Sequence, residues 1–388
     1  MKKIRRKIEL FILFIICIFY YLIHGKADKK PKQINKFLVV QMAKLGDMVC
    51  TTPLFNAIKE KNRNNQVYVL TSKINQELLK YNPHVDKCLV YHKDKVWELI
   101  KDIKKENFDY GCMVECNFVG LAILYLSGIS FISAPILKEN NNNPYKFSYY
   151  SILCKLATVP FYYNFYEYIP VARNRAVEAA GIYSKNPTKY LSFSKDGEKE
   201  INEFLQKNKV DYEKNIIIGV HVGAGNKVKL WSPKKWAQLM NDLSERKNIK
   251  VFLMGSSSDK DELEVVSKLL NNKIINASLL FDIDRFKSLL SKIDIFIACD
   301  SGPIYIAEAF NKYTIDIVGP VNKVEQPPCP PYYSRGRIVS KNNLFCCPCS
   351  FIMNAVKTCR FKNNKCLEEI EVSDVLSVVN EVLLEIKK

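Results

Sequence analysis

The sequence predicts an α/β protein made of two Rossmann-like domains facing one another across a cleft, preceded by an N-terminal hydrophobic helix. Three observations predict it. Apolar strand patterns alternate with amphipathic helix patterns from Lys36 onward, and the alternation restarts near Asn215 after a less regular middle. Strand–helix–strand alternation implies a parallel sheet, with ligands received at the carboxyl ends of its strands. The third observation is that 388 residues with 48% apolar content suffice for two cores. The boundaries read as 1–33 for a basic, hydrophobic membrane anchor, 34–200 for the first domain, 201–345 for the second, and 346–388 for a cysteine-rich tail with a final helix.

Taken in order, "MKKIRRK" places five basic residues ahead of Leu10–Ile23, a run without charge. As a helix that run spans roughly 21 Å against a hydrocarbon core of roughly 30 Å. No small-residue cleavage site follows, so it reads as an uncleaved anchor that either spans the bilayer or lies along one face. Lys26, Lys29, Lys30 and Lys32 follow it, and the orientation signal is weak for that reason. Next comes the strand "KFLVVQM" (36–42), then "AKLGDMVC" as a loop. A helix follows with Thr52 at its cap and Pro53 at its first position, then the strand "QVYVLTS" (66–72). "KENNNNPYKF" (138–147) is polar and turn-rich, an exposed loop. In the second block "NIIIGVHV", "KVFLMG", "KIINAS", "IDIFIAC" and "TIDIVG" read as strands separated by helices. The last helix, about 373–386, is amphipathic through Val375, Leu376, Val379 and Leu383.

The stretch "IFIACDSGPIYIAEAF" (295–310) interrupts a buried strand with Asp300-Ser301-Gly302-Pro303. Proline suits the first turn of a helix, with Ser301 or Gly302 at the cap. Unpaired amides at such a helix start favour an anion, phosphate above all, although a plain strand-to-helix turn has the same residues. The formal charge of +18 fits an anionic membrane surface or a phosphorylated substrate. No basic stripe interleaved with aromatics and no zinc-finger or RNA-module pattern is present, which ranks nucleic acid last. Thirteen cysteines, mostly single residues within strands or helices such as Cys112, Cys154 and Cys299, read as buried thiols of a reducing compartment.

Four motifs occur in order: "VVQMAKLGDMVCTTPLFNAIKEK", "GVHVGAGNKVKLWSPKKWAQL", "LMGSSSDKDE" and "IDIFIACDSGPIYIAEAFNKYTIDIVGP". Together they resemble glycosyltransferase family 9, which includes the lipopolysaccharide heptosyltransferases, over about residues 37–320. The resemblance implies a GT-B fold and an inverting transfer of a sugar, heptose in characterised members, from a nucleotide donor, ADP-linked, to a surface-glycan or lipid-linked acceptor. It implies Asp47 as the base that takes the acceptor proton, with Gly46 letting backbone pass close by. It implies Lys229 as the phosphate-binding lysine, with Lys227 as the alternative, and Asp300, Ser301 and Gly302 against the donor's pyrophosphate and sugar. Gly223 and Gly225 read as a nucleotide loop, and Asp259 as either a ribose ligand or a helix cap. Family members usually have histidine where this chain has Tyr305, which removes a cation and leaves one hydrogen-bond donor. That departure supports a rival reading, a non-catalytic nucleotide-sugar-binding or scaffold protein. A second rival is another GT-B enzyme, an epimerase or hydrolase.

No metal is expected in catalysis: in "FDID" (281–284) Asp284 reads as a helix cap rather than half of a metal site. Cys346-x-x-Cys349 has zinc-knuckle spacing, while the second pair, Cys359 and Cys366, is wider than usual, so a structural metal, a disulfide and ordinary thiols all stand as readings. The expected partners are a nucleotide sugar, a glycan or lipid-linked acceptor and an anionic membrane surface. The expected location is the membrane, with the catalytic domains facing the cytoplasm.

Overall fold

A computed structural model describes residues 2–137, 148–164, 167–341, 344–352 and 354–386. The polar stretch 138–147 lies outside the described residues. The chain divides into two compact units, Met1–Thr188 and Lys189–Lys388.

The first unit is built on six parallel strands: β1 (Lys36–Val40), β2 (Gln66–Thr71), β3 (Lys87–Val90), β4 (Tyr110–Met113), β5 (Ile132–Leu137) and β6 (Val159–Tyr163), in the order β3-β2-β1-β4-β5-β6. β1 is central, pairs with both β2 and β4, and is buried from Phe37 to Val40. This is why it reads as a continuous apolar run rather than an alternating one. The sheet order reverses between β1 and β4, and the loops after these two strands open beside each other at that switch point.

The second unit repeats the plan with β7 (Ile216–His221), β8 (Ile249–Met254), β9 (Ile275–Asn276), β10 (Ile295–Cys299), β11 (Tyr313–Ile317) and β12 (Gly336–Val339), ordered β12-β11-β10-β7-β8-β9. Here β10 and β7 flank the switch point. The final helix, Val372–Glu385, packs Val375, Val379 and Val382 into the core formed by β7, β8, β10 and β11.

Three local readings need correction. "AKLGDMVC" is not all loop, because Leu45–Val49 forms a short helix. The next helix, Thr52–Lys61, has Thr51 rather than Thr52 at its cap, and Thr51 turns its hydroxyl back to the carbonyl of Asp47 at 2.8 Å. Asp282, not Asp284, caps the helix Ile283–Lys292, by accepting from the Arg285 N–H at 2.9 Å. Asp284 sits one turn further in and accepts from the Ser194 hydroxyl at 2.6 Å.

The N-terminal helix, Lys2–His24, is the one helix among the described residues long and apolar enough to cross a membrane. One flank is packed against the first unit. Leu13 and Cys17 are buried, Phe14 stacks on Tyr149 at 4.7 Å, and Tyr20 meets Tyr125 edge-on at 5.2 Å. The chain after it is stitched down by Ala27 N–H to Ala157 and by Ile132 N–H to Ala27 at 2.9 Å. The other flank, including Ile8, Phe11, Ile12, Phe19, Leu22 and Ile23, is exposed.

Gly219 lies in β7, closely packed by its neighbours. A Cβ there would stand 2.5 Å from Ile293 Cδ1 and 2.9 Å from Met254 Sδ. Gly219→Val is expected to lower stability by about 1–3 kcal/mol through overpacking. The loss should be read as a downward shift of the urea midpoint.

Candidate functional site

Both units place their chemistry at the carboxyl ends of central strands. In the first unit Asp47 sits in the short helix after β1. The Arg173 guanidinium, supplied by helix Ile169–Asn174, holds it by donating to the Asp47 carbonyl at 2.6 Å and to Oδ1 at 3.0 Å. The Arg173 side chain is 1% exposed and that of Asp47 is 21% exposed. The base candidate therefore reaches solvent from a fixed mount. The loop that carries it is also pinned. Gln41 accepts from the Ala43 N–H at 3.0 Å, Asn75 donates to the Ala43 carbonyl at 2.9 Å, and Glu115 accepts from the Met42 N–H at 2.8 Å.

Glu115, just past β4, is the second carboxyl of this constellation. Burial, reinforced by the charge of Asp47, pushes it up to about 7, against the opposing pull of the Met42 amide and Arg173. Neither Glu115 nor Arg173 was found by sequence reasoning. Arg173 lies 126 residues from Asp47, and no spacing rule joins them.

In the second unit Asp300 follows β10 and is buried. Its Oδ2 is paired with the Lys229 ammonium, and its Oδ1 accepts from the Tyr305 hydroxyl. Of the two candidate lysines, Lys229 is therefore the one that meets Asp300, and Lys227 is exposed. Ser301 caps helix Gly302–Ala309 with an extended backbone, and Pro303 stands in the first turn. The Ser301 hydroxyl is buried with no hydrogen-bond partner among the described residues.

Next to Ala298 of β10, in register on β11, Asp316 is fully buried, and neither carboxylate oxygen has a hydrogen-bond partner among the described residues. Burial first, and then the neighbouring charge of Asp300, push its pKa well above the ordinary carboxylate range. Glu325, 2% exposed, is likewise pushed up to about 7 by burial, despite accepting from the Ile352 N–H. Asp316 lies inside an apolar strand pattern and gave no sequence signal as part of a site.

The glycine loop after β7 packs against Asp259. Asp259 is buried and caps its own turn, accepting from the Ser256 N–H at 2.9 Å and the Ser256 hydroxyl at 2.7 Å. It also stands 3.4 Å from His221 Nε2. Burial alone would raise it, but His221 and the Ser256 donors outweigh that and hold it down at about 2. A Cβ on Gly223 would lie 2.0 Å from Asp259 Oδ1, so Gly223 is required by the close approach of that carboxylate. Gly225 is exposed at the loop tip. Among the described residues no group of three or more His, Cys, Asp or Glu side chains is gathered to hold a metal ion.

Two Rossmann-like units, one offering a mounted carboxylate and the other a lysine–aspartate pair at a helix start, define a glycosyltransferase of the GT-B type. The profile of glycosyltransferase family 9 (heptosyltransferase) matches residues 159–361, just over half the chain, and the protein belongs to that family. Lipooligosaccharide heptosyltransferase 2 of Campylobacter jejuni is 23% identical over 342 residues, covering 87% of this chain and 96% of that protein. Among solved structures, a family 9 glycosyltransferase from Veillonella parvula superposes with a TM-score of 0.74 at 15% identity, covering 92% of this chain and 100% of that one. The ADP-heptose lipopolysaccharide heptosyltransferase II of E. coli superposes with a TM-score of 0.69 at 16% identity, covering 91% and 100%.

The Glu115 carboxyl makes stability depend on pH. Its folded value of about 7 lies above its ordinary 4.5, so the unfolded chain ionises first. Between those values the native state binds the extra proton, and stability falls as pH rises. The fall is at most about 3 kcal/mol, less what water relieves at the partly exposed group. Glu115→Gln keeps an acceptor for the Met42 N–H. It is expected to flatten urea midpoints between pH 4.5 and 7 relative to wild type.

Proposed function

We propose that the protein transfers a heptose, with inversion at the anomeric carbon, from an ADP-linked donor to a lipid-linked or surface-glycan acceptor. Asp47 takes the proton of the acceptor hydroxyl as its oxygen bonds to the anomeric carbon. The bond from that carbon to the diphosphate oxygen breaks on the opposite face, and the electron pair leaves with the nucleoside diphosphate. Lys229 and the amides that open helix Gly302–Ala309 meet the charge growing on the diphosphate. Asp300, held on both oxygens by Lys229 and Tyr305, is oriented toward donor hydroxyls.

The observation that carries this reading is the mounting of Asp47 on Arg173: a partly exposed carboxylate at a sheet switch point, fixed by a buried cation. Family membership and the names of the relatives supply the donor class. Tyr305 in place of histidine supports a carboxylate-holding role, since its hydroxyl is spent on Asp300.

The same reading places the protein at a cytoplasm-facing, anionic membrane surface. One flank of Lys2–His24 is covered by the first unit, and the other is apolar and bare. Arg5, Arg6 and Lys7 precede that flank, and Lys29, Lys30 and Lys32 follow it, all exposed. This suits a helix lying in the headgroup layer.

Asp47→Asn is expected to retain the donor's protection against thermal unfolding while losing about 100- to 10,000-fold in nucleoside-diphosphate release with acceptor present. Transfer within a few-fold of wild type removes Asp47 from the base role. Release without any acceptor favours a hydrolase instead.

A further inference from the structure

The transfer reaction makes no use of the C-terminal tail. Residues 326–367 carry seven Lys and Arg side chains and no Asp or Glu. Three of the seven have partners elsewhere in the second unit. Arg337 pairs with Glu385, Lys341 pairs with Asp374, and Arg335 donates to the Asn311 carbonyl at 2.7 Å. The other four, Lys357, Arg360, Lys362 and Lys365, are exposed, and none of them makes an ion pair among the described residues. Like charges left unanswered along one segment set up a positive field that attracts an anionic surface.

Large apolar side chains stand among these cations. Phe345 is 86% exposed and Phe361 is 42% exposed, and their rings meet edge to face at 5.4 Å. The Arg360 guanidinium lies over the Phe361 ring, 4.7 Å from its centre. Singly exposed apolar residues are ordinary, but two bare rings in contact beneath a guanidinium form a patch. Phe345, Phe361, Arg360 and Lys365 line one cavity of about 530 Å3, together with the five cysteines of the tail, which are free thiols. Val228, the neighbour of Lys229, lines it too, so the patch adjoins the loop that meets Asp300.

The patch is held in shape by the second unit. The N–H groups of Cys349 and Ser350 both donate to the Pro320 carbonyl at 3.0 Å, and the Asn226 side chain donates to the Val356 carbonyl. Leu367 is buried against Gly319, where a Cβ would stand 2.5 Å from Leu367 Cγ. Between these anchors Lys362 at φ 64° and Asn364 at φ 40° turn the chain tightly, which keeps Phe361 and its neighbouring cations within one short loop.

We propose that this patch docks the second unit on an anionic phospholipid surface, with Phe345 and Phe361 entering the layer between headgroups and acyl chains and Arg360, Lys362 and Lys365 meeting the phosphates. Arg360 is stacked on Phe361, so its guanidinium reaches the headgroups as the ring enters below them. The inference rests on the reading of the protein as membrane-bound. It adds a contact separate from the N-terminal helix, which belongs to the first unit. Such a contact brings the loop of Lys229 to the layer that holds a lipid-linked acceptor.

The test is hydrogen–deuterium exchange of the full-length chain at short labelling times. Vesicles of phosphatidylglycerol and phosphatidylcholine are compared with vesicles of phosphatidylcholine alone. Peptides from residues 344–365 and from the N-terminal helix report separately. Protection of the tail peptides is expected with the anionic vesicles only, and high salt should remove it. Arg360→Gln, Lys362→Gln and Lys365→Gln together should weaken binding to anionic vesicles about 100-fold. Phe345→Ser should cut the tail protection and leave that of the helix. All four side chains are exposed, and thermal midpoints like that of wild type will show that the variants fold. A protected helix with an unprotected tail overturns this proposal and leaves the membrane reading standing, whereas protection of neither overturns both. Equal protection of the tail by neutral vesicles overturns the role of the cations. Tail protection that appears without vesicles and grows with protein concentration assigns the patch to a second copy of the chain instead.

Discussion

A carboxylate taken out of water needs partners for its oxygens, and buried Asp300 has one on each. One oxygen takes the Lys229 ammonium and the other the Tyr305 hydroxyl. The consequences spread outward. Asp316 on the adjacent strand is buried beside that charge, and burial first and Asp300 second push its pKa well up, against the pull of Lys229. Glu325 is raised for the same two reasons, burial first and the charge of Asp300 second. Tyr305 contributes a neutral hydrogen bond to Asp300, and Lys229 contributes the positive charge.

The first unit solves a related problem with different residues. Arg173 is buried and always charged, and it uses two of its donors on a single residue, the carbonyl and carboxylate of Asp47. Removing the carboxylate would leave the buried Arg173 charge without its counter-ion, which costs far more than the net worth of the contact. Glu115 ties the same loop from the neighbouring strand through the Met42 amide. Hydrogen bonds hold the base candidate at both backbone and side chain, as suits a proton acceptor that must meet a hydroxyl in one geometry.

Much of the fold was legible because parallel strands buried on both faces are written as apolar runs, and crossover helices as amphipathic ones. β1, β2, β7, β10 and the final helix fall where the pattern puts them. Two of the three misreadings are of one kind. Thr51 and Thr52, or Asp282 and Asp284, are chemically equal candidates for a cap, and one or two residues of phase decide between them. That phase is set by what each helix packs against, since Asp284 is drawn inward by Ser194 while Asp282 is left to the cap. Asp259 likewise reads as a ligand or a cap by sequence, and the packing of Gly223 against it shows a carboxylate already engaged.

The sequence by itself determined the strand order of events along the chain, the helix start at Ser301-Gly302-Pro303, and the residues that can carry charge at strand ends. These depend on local backbone preference and on periodicity, which act over a few residues. Only the tertiary structure decided that Arg173 serves Asp47, that Asp316 lies beside Asp300, that five thiols share one cavity, and that one flank of the N-terminal helix belongs to the protein. Each of these joins residues far apart in the chain or on separate elements. Burial and electrostatics select such partners only after the chain has closed, and no short-range pattern encodes the choice.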